Sequence, residues 1–225
     1  SYRLEKDVIN AEIEILRELG VEFKTGVEVG KDVTLKELRG QGYEAFYVAI
    51  GAQAGRNLGI EGEEVEGVMT GVDFLREVNL GNDTKLDGEV VVIGGGNVAI
   101  DVARTSARVG AAKTSMFCLE SRKEMPALDE EIDEALAEDI EINNSWGPKR
   151  ILTENGKVVG IEFKKCISVF DENKRFNPKF DEKEVKIVKA RHILISVGQG
   201  IDRGNLLEGS QVELNPNKTI KTDSF

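Results

Sequence analysis

The sequence predicts an α/β fold, and three consecutive features carry that prediction. A pure apolar run, Val90–Ile93, is long enough for a strand buried on both faces. It breaks into Gly94-Gly95-Gly96 and then into a helix-period segment, Asn97–Val109, which Gly110 stops. Lys113–Cys118 then reads as a second strand. Strand, turn, helix and strand in this order form a β-α-β unit, and G-x-G-x-x-A stands at its turn (Gly94, Gly96, Ala99). Gly94 allows the tight turn, Gly96 lets the backbone approach a pyrophosphate, and Ala99 lets the helix sit close to the strand. The unpaired N–H groups opening the helix, together with its dipole, then suit phosphates.

Context separates this turn from an ordinary glycine-rich loop. A strand precedes it, a helix follows it, and Glu120 stands 21 residues beyond Ala99, where the second strand ends. The spacing expected for an acidic residue that meets the ribose is about 20. A Rossmann-like dinucleotide-binding domain follows. Its candidate contacts are Gly94, Gly95, Gly96, Asn97, Val98 and Ala99 at the turn, with Glu120, Ser121 and Arg122 at the adenosine ribose. Asn97 can act as helix N-cap, as cofactor contact, or as both.

The remaining elements read in chain order. Asp7–Leu19 is an amphipathic helix with Ile9, Ile13 and Leu16 on one stripe and Gly20 as its stop. Val21–Lys24 and Val27–Val29 alternate as short strands. Thr34 and Glu37 form a T-x-x-E capping box on a short helix to Arg39, and Phe46–Ile50 is a buried strand ending in Gly51-Ala52-Gln53. Residues 54–88, rich in glycine and acid, read as a connector containing a short helix, Val72–Glu77. Pro126 begins an acidic helix to about Asp139, with Leu128, Ile132 and Leu136 inward. From Ile140 the pattern turns to period two. Ile151–Glu154, the Asn155-Gly156 turn and Val158–Val169 make a hairpin. After a polar loop at 171–183, Glu184–Lys189 extends it into an antiparallel β-meander. His192–Val197 is a buried strand ending in Gly198-Gln199, an echo of Phe46–Gln53. Two such exits on either side of the nucleotide unit suggest two crossings between domains.

Composition narrows the function. Of 225 residues, 40% are apolar and 32% charged, with net charge −11 and no basic stripe, which argues against nucleic acid or an anionic membrane as partner. No apolar run reaches membrane-spanning length and no signal peptide opens the chain, so a cytoplasmic setting is expected. Cys118 and Cys166 are far apart, without a C-x-x-C, so neither a redox dithiol nor an iron–sulfur cassette is expected. The lone His192 reads as structural, Trp146 as core or crossover anchor, Cys118 as a buried strand residue, and Asp101 as a salt-bridge residue on the helix that Arg104 and Arg108 share. No catalytic acid–base residue and no metal ligand is predicted. The start at Ser1 and the stop after Asp223-Ser224-Phe225 suggest a piece of a longer chain.

Longer stretches then become recognisable: SYRLEKDVINAEIEILRELGVEFKTGVEVG at the start, AIGAQ at 49–53, GVDFLREVN at 71–79, and VIGGGNVAIDVARTSARVGA. SRKEMPA at 121–127 and ISVGQ at 195–199 follow. Across nearly its whole length the chain resembles the glutamate synthase small (β) subunit family of NAD(P)H:FAD oxidoreductases, flavoproteins of the pyridine nucleotide-disulfide oxidoreductase type. The flavin domains of dihydropyrimidine dehydrogenase and of NADH-dependent ferredoxin:NADP oxidoreductase belong with them. The resemblance implies an FAD domain interrupted by an NAD(P) domain, with hydride passing from NAD(P)H to flavin and electrons onward to iron–sulfur centres. Residues 1–57 would then be a partial FAD-binding domain, 58–84 a connector, 85–198 the NAD(P)-binding domain and 199–225 the return segment. Gly51, Ala52 and Gly198 would bring backbone close to the flavin–nicotinamide junction. The family's first FAD half, the glycine-aspartate segment expected after residue 225 and the cysteine-rich cluster region are missing, so weak or no FAD binding is expected of this chain alone.

One departure bears on the cofactor. Many NADP-using relatives carry Arg-Arg just before S-R-x-E-M-P-A, where this chain has Leu119 and Glu120. An arginine pair clamps a 2′-phosphate, whereas a carboxylate accepts hydrogen bonds from ribose hydroxyls. Like charges ~4 Å apart repel by about 4 kcal/mol at an effective dielectric of about 20, so NAD(H) is expected over NADP(H), with Arg122 close enough to temper it. Two other classes fit less well. One is an NAD(H)-binding regulatory module without catalysis. The other is a methyltransferase using S-adenosylmethionine, which S-R-x-E-M-P-A and the two Gly-Gln exits argue against.

Overall fold

The computed structural model describes residues 3–216 and 219–222, and the Asp223-Ser224-Phe225 terminus lies outside them. The chain forms two compact units: residues 1–51 with 201–225, and residues 52–200.

In the first unit, α1 (Lys6–Glu18) ends in a Schellman motif. Gly20, at φ +90°, donates to the Arg17 carbonyl and Val21 donates to that of Leu16. The α2 helix (Leu35–Gly40) has the expected capping box: Glu37 N–H donates to Thr34 Oγ1 at 3.1 Å, and Thr34 N–H to Glu37 Oε2 at 2.8 Å. The expected strands of this unit do not form. Val21–Lys24 and Phe46–Ile50 are extended without a ladder, and Val27–Val29 makes only an isolated bridge, Val29 to Val33. A strand needs a neighbour for its N–H and C=O groups, and none stands beside them among the described residues. Phe46–Ile50 is accordingly not buried; Tyr47 is 95% exposed.

The second unit opens with β1 (Ala54–Gly55), then β2 (Val68–Thr70) and α3 (Gly71–Leu80). Thr70 caps α3 and Gly81, at φ +83°, closes it. The nucleotide-unit elements follow as expected: β3 (Glu89–Ile93), α4 (Asn97–Arg108) and β4 (Lys113–Cys118). Next come α5 (Asp129–Ala137), β5 (Glu141–Asn144), β6 (Trp146–Glu154), β7 (Lys157–Phe170), β8 (Phe176–Lys189), β9 (His192–Ile195) and β10 (Gln199–Gly200). The parallel sheet has the order β2-β9-β3-β4-β5, a second sheet runs β6-β7-β8 antiparallel, and β1 pairs antiparallel with β10.

Alternation along the parallel strands builds two cores. Val90, Val92, Met116, Cys118 and Leu194 pack with Phe74 of α3, Ile100 and Ala103 of α4, and Ile132 and Ala135 of α5. Val91, Ile93, Phe117, Ile193 and Ile195 face the meander, where they meet Ile151, Ile161 and Phe163. Phe117 and Phe163 stack with ring centroids 4.1 Å apart. Three layers result, with helices on one face of the parallel sheet and the antiparallel meander on the other. Asn155 (φ +51°) and Gly156 (φ +75°) both take left-handed backbone, as the two-residue turn between β6 and β7 requires.

Five expectations need correction here. The connector at 54–88 contains a sheet strand, β2, and its helix is longer than Val72–Glu77. The polar loop at 171–183 shrinks to the turn before β8, because Phe176 to Asp181 pair with Phe170 to Lys165 of β7. The acidic helix starts at Asp129, not Pro126, because residues 127 and 128 are pulled across the glycine turn. Ala127 N–H donates to the Gly95 carbonyl (3.2 Å) and Leu128 N–H to Asn97 Oδ1 (2.9 Å). On that helix Ile132 and Ala135 are buried, whereas Leu136 and the N-cap Leu128 are exposed.

Candidate dinucleotide site

Gly94–Gly95–Gly96 joins β3 to α4 at the carboxyl edge of the parallel sheet, where a cavity of about 620 Å³ opens. Open α/β sheets bind their ligands in the crevice at that edge. The three glycines differ in what they do. Gly94 has φ +144°, and a Cβ there would lie 2.3 Å from the Ser196 carbonyl oxygen and 3.2 Å from Ala99 Cβ. A Cβ on Gly95 would meet Glu120 Oε2 at 2.9 Å and Cys118 Cβ at 3.0 Å. A Cβ on Gly96 would meet nothing nearer than Pro126 Cγ at 3.9 Å. Gly94 and Gly95 are therefore required by the protein's own packing, and Gly96 leaves open space on the cavity side. This is the room that a close-approaching pyrophosphate needs.

The donors for such a group are in place. Gly96 is the N-cap of α4, and its carbonyl accepts from Ala99 and Ile100. The N–H groups of Gly96, Asn97 and Val98 donate to no protein acceptor among the described residues, and they open into the cavity that these residues line. Asn97 is the first helical residue, not the N-cap, and its side chain instead holds Leu128 N–H. Ala99 is fully buried beneath the turn, where its methyl lets α4 approach β3.

Glu120 lies two residues past β4. Its backbone is fixed, since its carbonyl accepts from Ser145 N–H at 3.0 Å and Asn144 Nδ2 at 3.2 Å. Its half-buried carboxylate has no hydrogen-bond or ion-pair partner among the described residues and faces Gly95 in the cavity. An unpaired acceptor beside the glycine turn is free to take ribose hydroxyls. The chain's own residues thus fit a dinucleotide.

Other predicted residues are placed differently. Ser121 Oγ donates to Glu124 at 2.6 Å, Arg122 pairs with Asp129 at 2.9 Å, and neither lines the cavity. Gly198 lines it, with φ +123°. Ala52 is exposed and does not, and Gly51 belongs to the first unit. Cys118 is a buried strand residue, as expected. Burial first, then the Glu120 charge, pushes its thiol up to about 12, and burial also raises Cys166. His192 bonds Asp87 at 3.1 Å, a structural contact.

Sequence reasoning missed much of the cavity wall. Arg56, Asn57 and Leu58 come from the supposed connector, and Pro148 and Phe176 from the meander. Trp146 is half-buried against the meander core and also lines the cavity. The cation in the glycine-rich stretch after AIGAQ was the available signal for Arg56. For Phe176 no local signal existed, because a fold contact brings it there.

Fold and cavity together fit an α/β unit of the dinucleotide-binding kind. The chain belongs to the pyridine nucleotide-disulphide oxidoreductase family, whose pattern it matches over residues 7–225. It is 39% identical over 72% of its length to the NADP(+)-dependent formate dehydrogenase subunit beta of Moorella thermoacetica, covering 23% of that protein. It is 32% identical over 72% of its length to the glutamate synthase [NADPH] small chain of Escherichia coli (strain K12), covering 37% of it. Its fold is similar to that of FprA, a Mycobacterium tuberculosis oxidoreductase, with TM-score 0.70 at 21% identity over 88% of this chain and 58% of that one. The chain thus spans about a quarter to a third of the two curated relatives. Among the described residues no helix is long and apolar enough to cross a membrane, and no cluster of His, Cys, Asp or Glu is arranged to hold a metal.

Proposed function

We propose that this chain is the nicotinamide-dinucleotide-binding part of a cytoplasmic flavoprotein oxidoreductase that oxidises NADH. The observation that carries the reading is the Gly94–Gly96 turn. It presents the free N–H groups of α4 to a cavity in which Glu120 stands unpaired. When bound, a reduced nicotinamide supplies a hydride to an acceptor such as a flavin. This chain's residues bind and orient. Gly96, Asn97 and Val98 take the pyrophosphate, the bare Gly96 leaves room for its approach, and Glu120 accepts from the adenosine ribose hydroxyls.

In this reading residues 52–200 form the dinucleotide-binding unit, with β2 and α3 of the expected connector built into its sheet and helix layers, and residues 1–51 with 201–225 contribute to an FAD domain. Among its described residues the first unit contains no strand–glycine turn–helix of the kind seen at Gly94. Gly51, Ala52 and Gly198 are proposed cofactor contacts in the complete protein, which then delivers electrons to an iron–sulfur or flavin partner. The relatives' names, formate dehydrogenase subunit and glutamate synthase small chain, support a redox assembly.

Those relatives are named for NADP(+) and NADPH, which stands against the preference we assign to NADH. The preference rests on Glu120, whose carboxylate repels a 2′-phosphate at the position where it meets the ribose. Replacing Glu120→Arg is expected to shift the NADH/NADPH affinity ratio toward NADPH at least tenfold; an unchanged ratio sinks the assignment.

A further inference from the structure

The cavity is electrically lopsided. Among its lining residues Glu120 is the only acid and Arg56 the only base. They stand on opposite sides of the glycine turn. Glu120 follows β4, one neighbour of β3 in the sheet, and Arg56 is bound to the exit of β9, the other neighbour. Arg56 N–H donates to the Gly198 carbonyl at 3.2 Å and its Nε to the Gln199 carbonyl at 3.2 Å. Gly198 takes φ +123°, a backbone that favours glycine, and a Cβ there would be in ordinary contact with Arg56 Cδ at 3.6 Å. The Nη groups have no protein partner among the described residues. The guanidinium is therefore held by its inner nitrogen with its charge left unneutralised.

We propose that Arg56 selects the redox state of the nucleotide, favouring the reduced form. This rests on the dinucleotide reading above. With the pyrophosphate at Gly96 and the adenosine at Glu120, the remaining half of the molecule extends past Gly94 toward β9 and Arg56. The nicotinamide ring is neutral when reduced and carries one positive charge once its hydride has left. The phosphates are identical in the two forms. A fixed cation at this end repels only the oxidised ring, so it weakens NAD⁺ relative to NADH and speeds departure of the spent cofactor. A purely structural tie between Arg56 and residues 198–199 would alter both affinities together.

Calorimetric titration of the full chain with NADH and with NAD⁺ tests this. Wild type is expected to bind NADH about tenfold more tightly than NAD⁺; equal affinities overturn the proposal without any variant. In Arg56→Gln the ratio should collapse toward one, and in Arg56→Lys, which keeps the charge, it should persist. A ratio unchanged in Arg56→Gln, or lost equally in Arg56→Lys, contradicts a charge-based role. Should the Gln variant fail to fold, the Lys variant and wild type still decide. Binding of neither nucleotide by wild type removes the dinucleotide reading itself, whereas binding of both with equal affinity removes only the role of Arg56.

Discussion

A methyl group on Gly94 has nowhere to go, and one on Gly96 has only the cavity. Gly94→Ala combines a left-handed φ of +144° with a clash against the Ser196 carbonyl, so it should destabilise by about 1–3 kcal/mol in urea unfolding. Gly96→Ala should unfold at the wild-type midpoint yet bind NADH about tenfold more weakly or worse, because the added Cβ occupies phosphate space. Wild-type affinity in Gly96→Ala would show that no pyrophosphate approaches there. Trp146, the chain's single tryptophan, lines the same cavity, so NADH should quench its emission and leave that of a Gly96→Ala control nearly unchanged. The two thiols should stay silent. Burial holds Cys118 and Cys166 protonated, so a disulfide reagent near pH 8 should count no fast thiol in the folded protein and two in denaturant.

The helix layer depends on a charged clamp between α4 and the C-terminal end of α5. Arg104, 9% exposed, reaches Glu131 and Glu134 as well as Glu138 (2.7 Å), and Arg108 reaches Glu138 too. Hydrogen bonding by Arg108 first, partly offset by burial, and then by Arg104 lowers the Glu138 carboxyl from 4.5 to about 2. A carboxylate depressed in the folded state stabilises above its unfolded pKa and loses that contribution as pH falls from 4.5 toward 2. Glu138→Gln should therefore cost about 1–3 kcal/mol at neutral pH, and the gap from wild type should close across that acid window. A pH-independent gap would mean that the clamp is not ionic. At this scale legibility followed the local signal. Glu89–Ile93 is readable because its apolar run lies between Gly88 and Gly94, and Lys113–Cys118 because it follows the helix stop at Gly110 where a β-α-β unit needs its second strand. β5 reads Glu-Ile-Asn-Asn and β2 is three residues long, so both are strands only because β4 and β9 offer them ladders. Val21–Lys24 and Phe46–Ile50 show the converse, strand-like sequence without a neighbour. Pro126 suggested a helix start, but the bond from Leu128 N–H to Asn97 Oδ1 outweighed it.

For the whole molecule, the nucleotide turn and Glu120 could be read from spacing alone, since each requirement is local to one β-α-β unit. The rest of the cavity could not. Arg56, Trp146 and Phe176 are up to 120 residues apart and meet only through the sheet order and the meander. The chain covers a fraction of its relatives' length, and nucleotide binding is the proposed property that can be measured on it directly. Calorimetric titration with NADH and NADPH, with and without added FAD, tests the central claim most directly. We predict NADH binding with no flavin requirement and weaker binding of NADPH; no heat from either nucleotide would contradict the assignment of the Gly94–Gly96 cavity, and tighter NADPH would contradict the role given to Glu120.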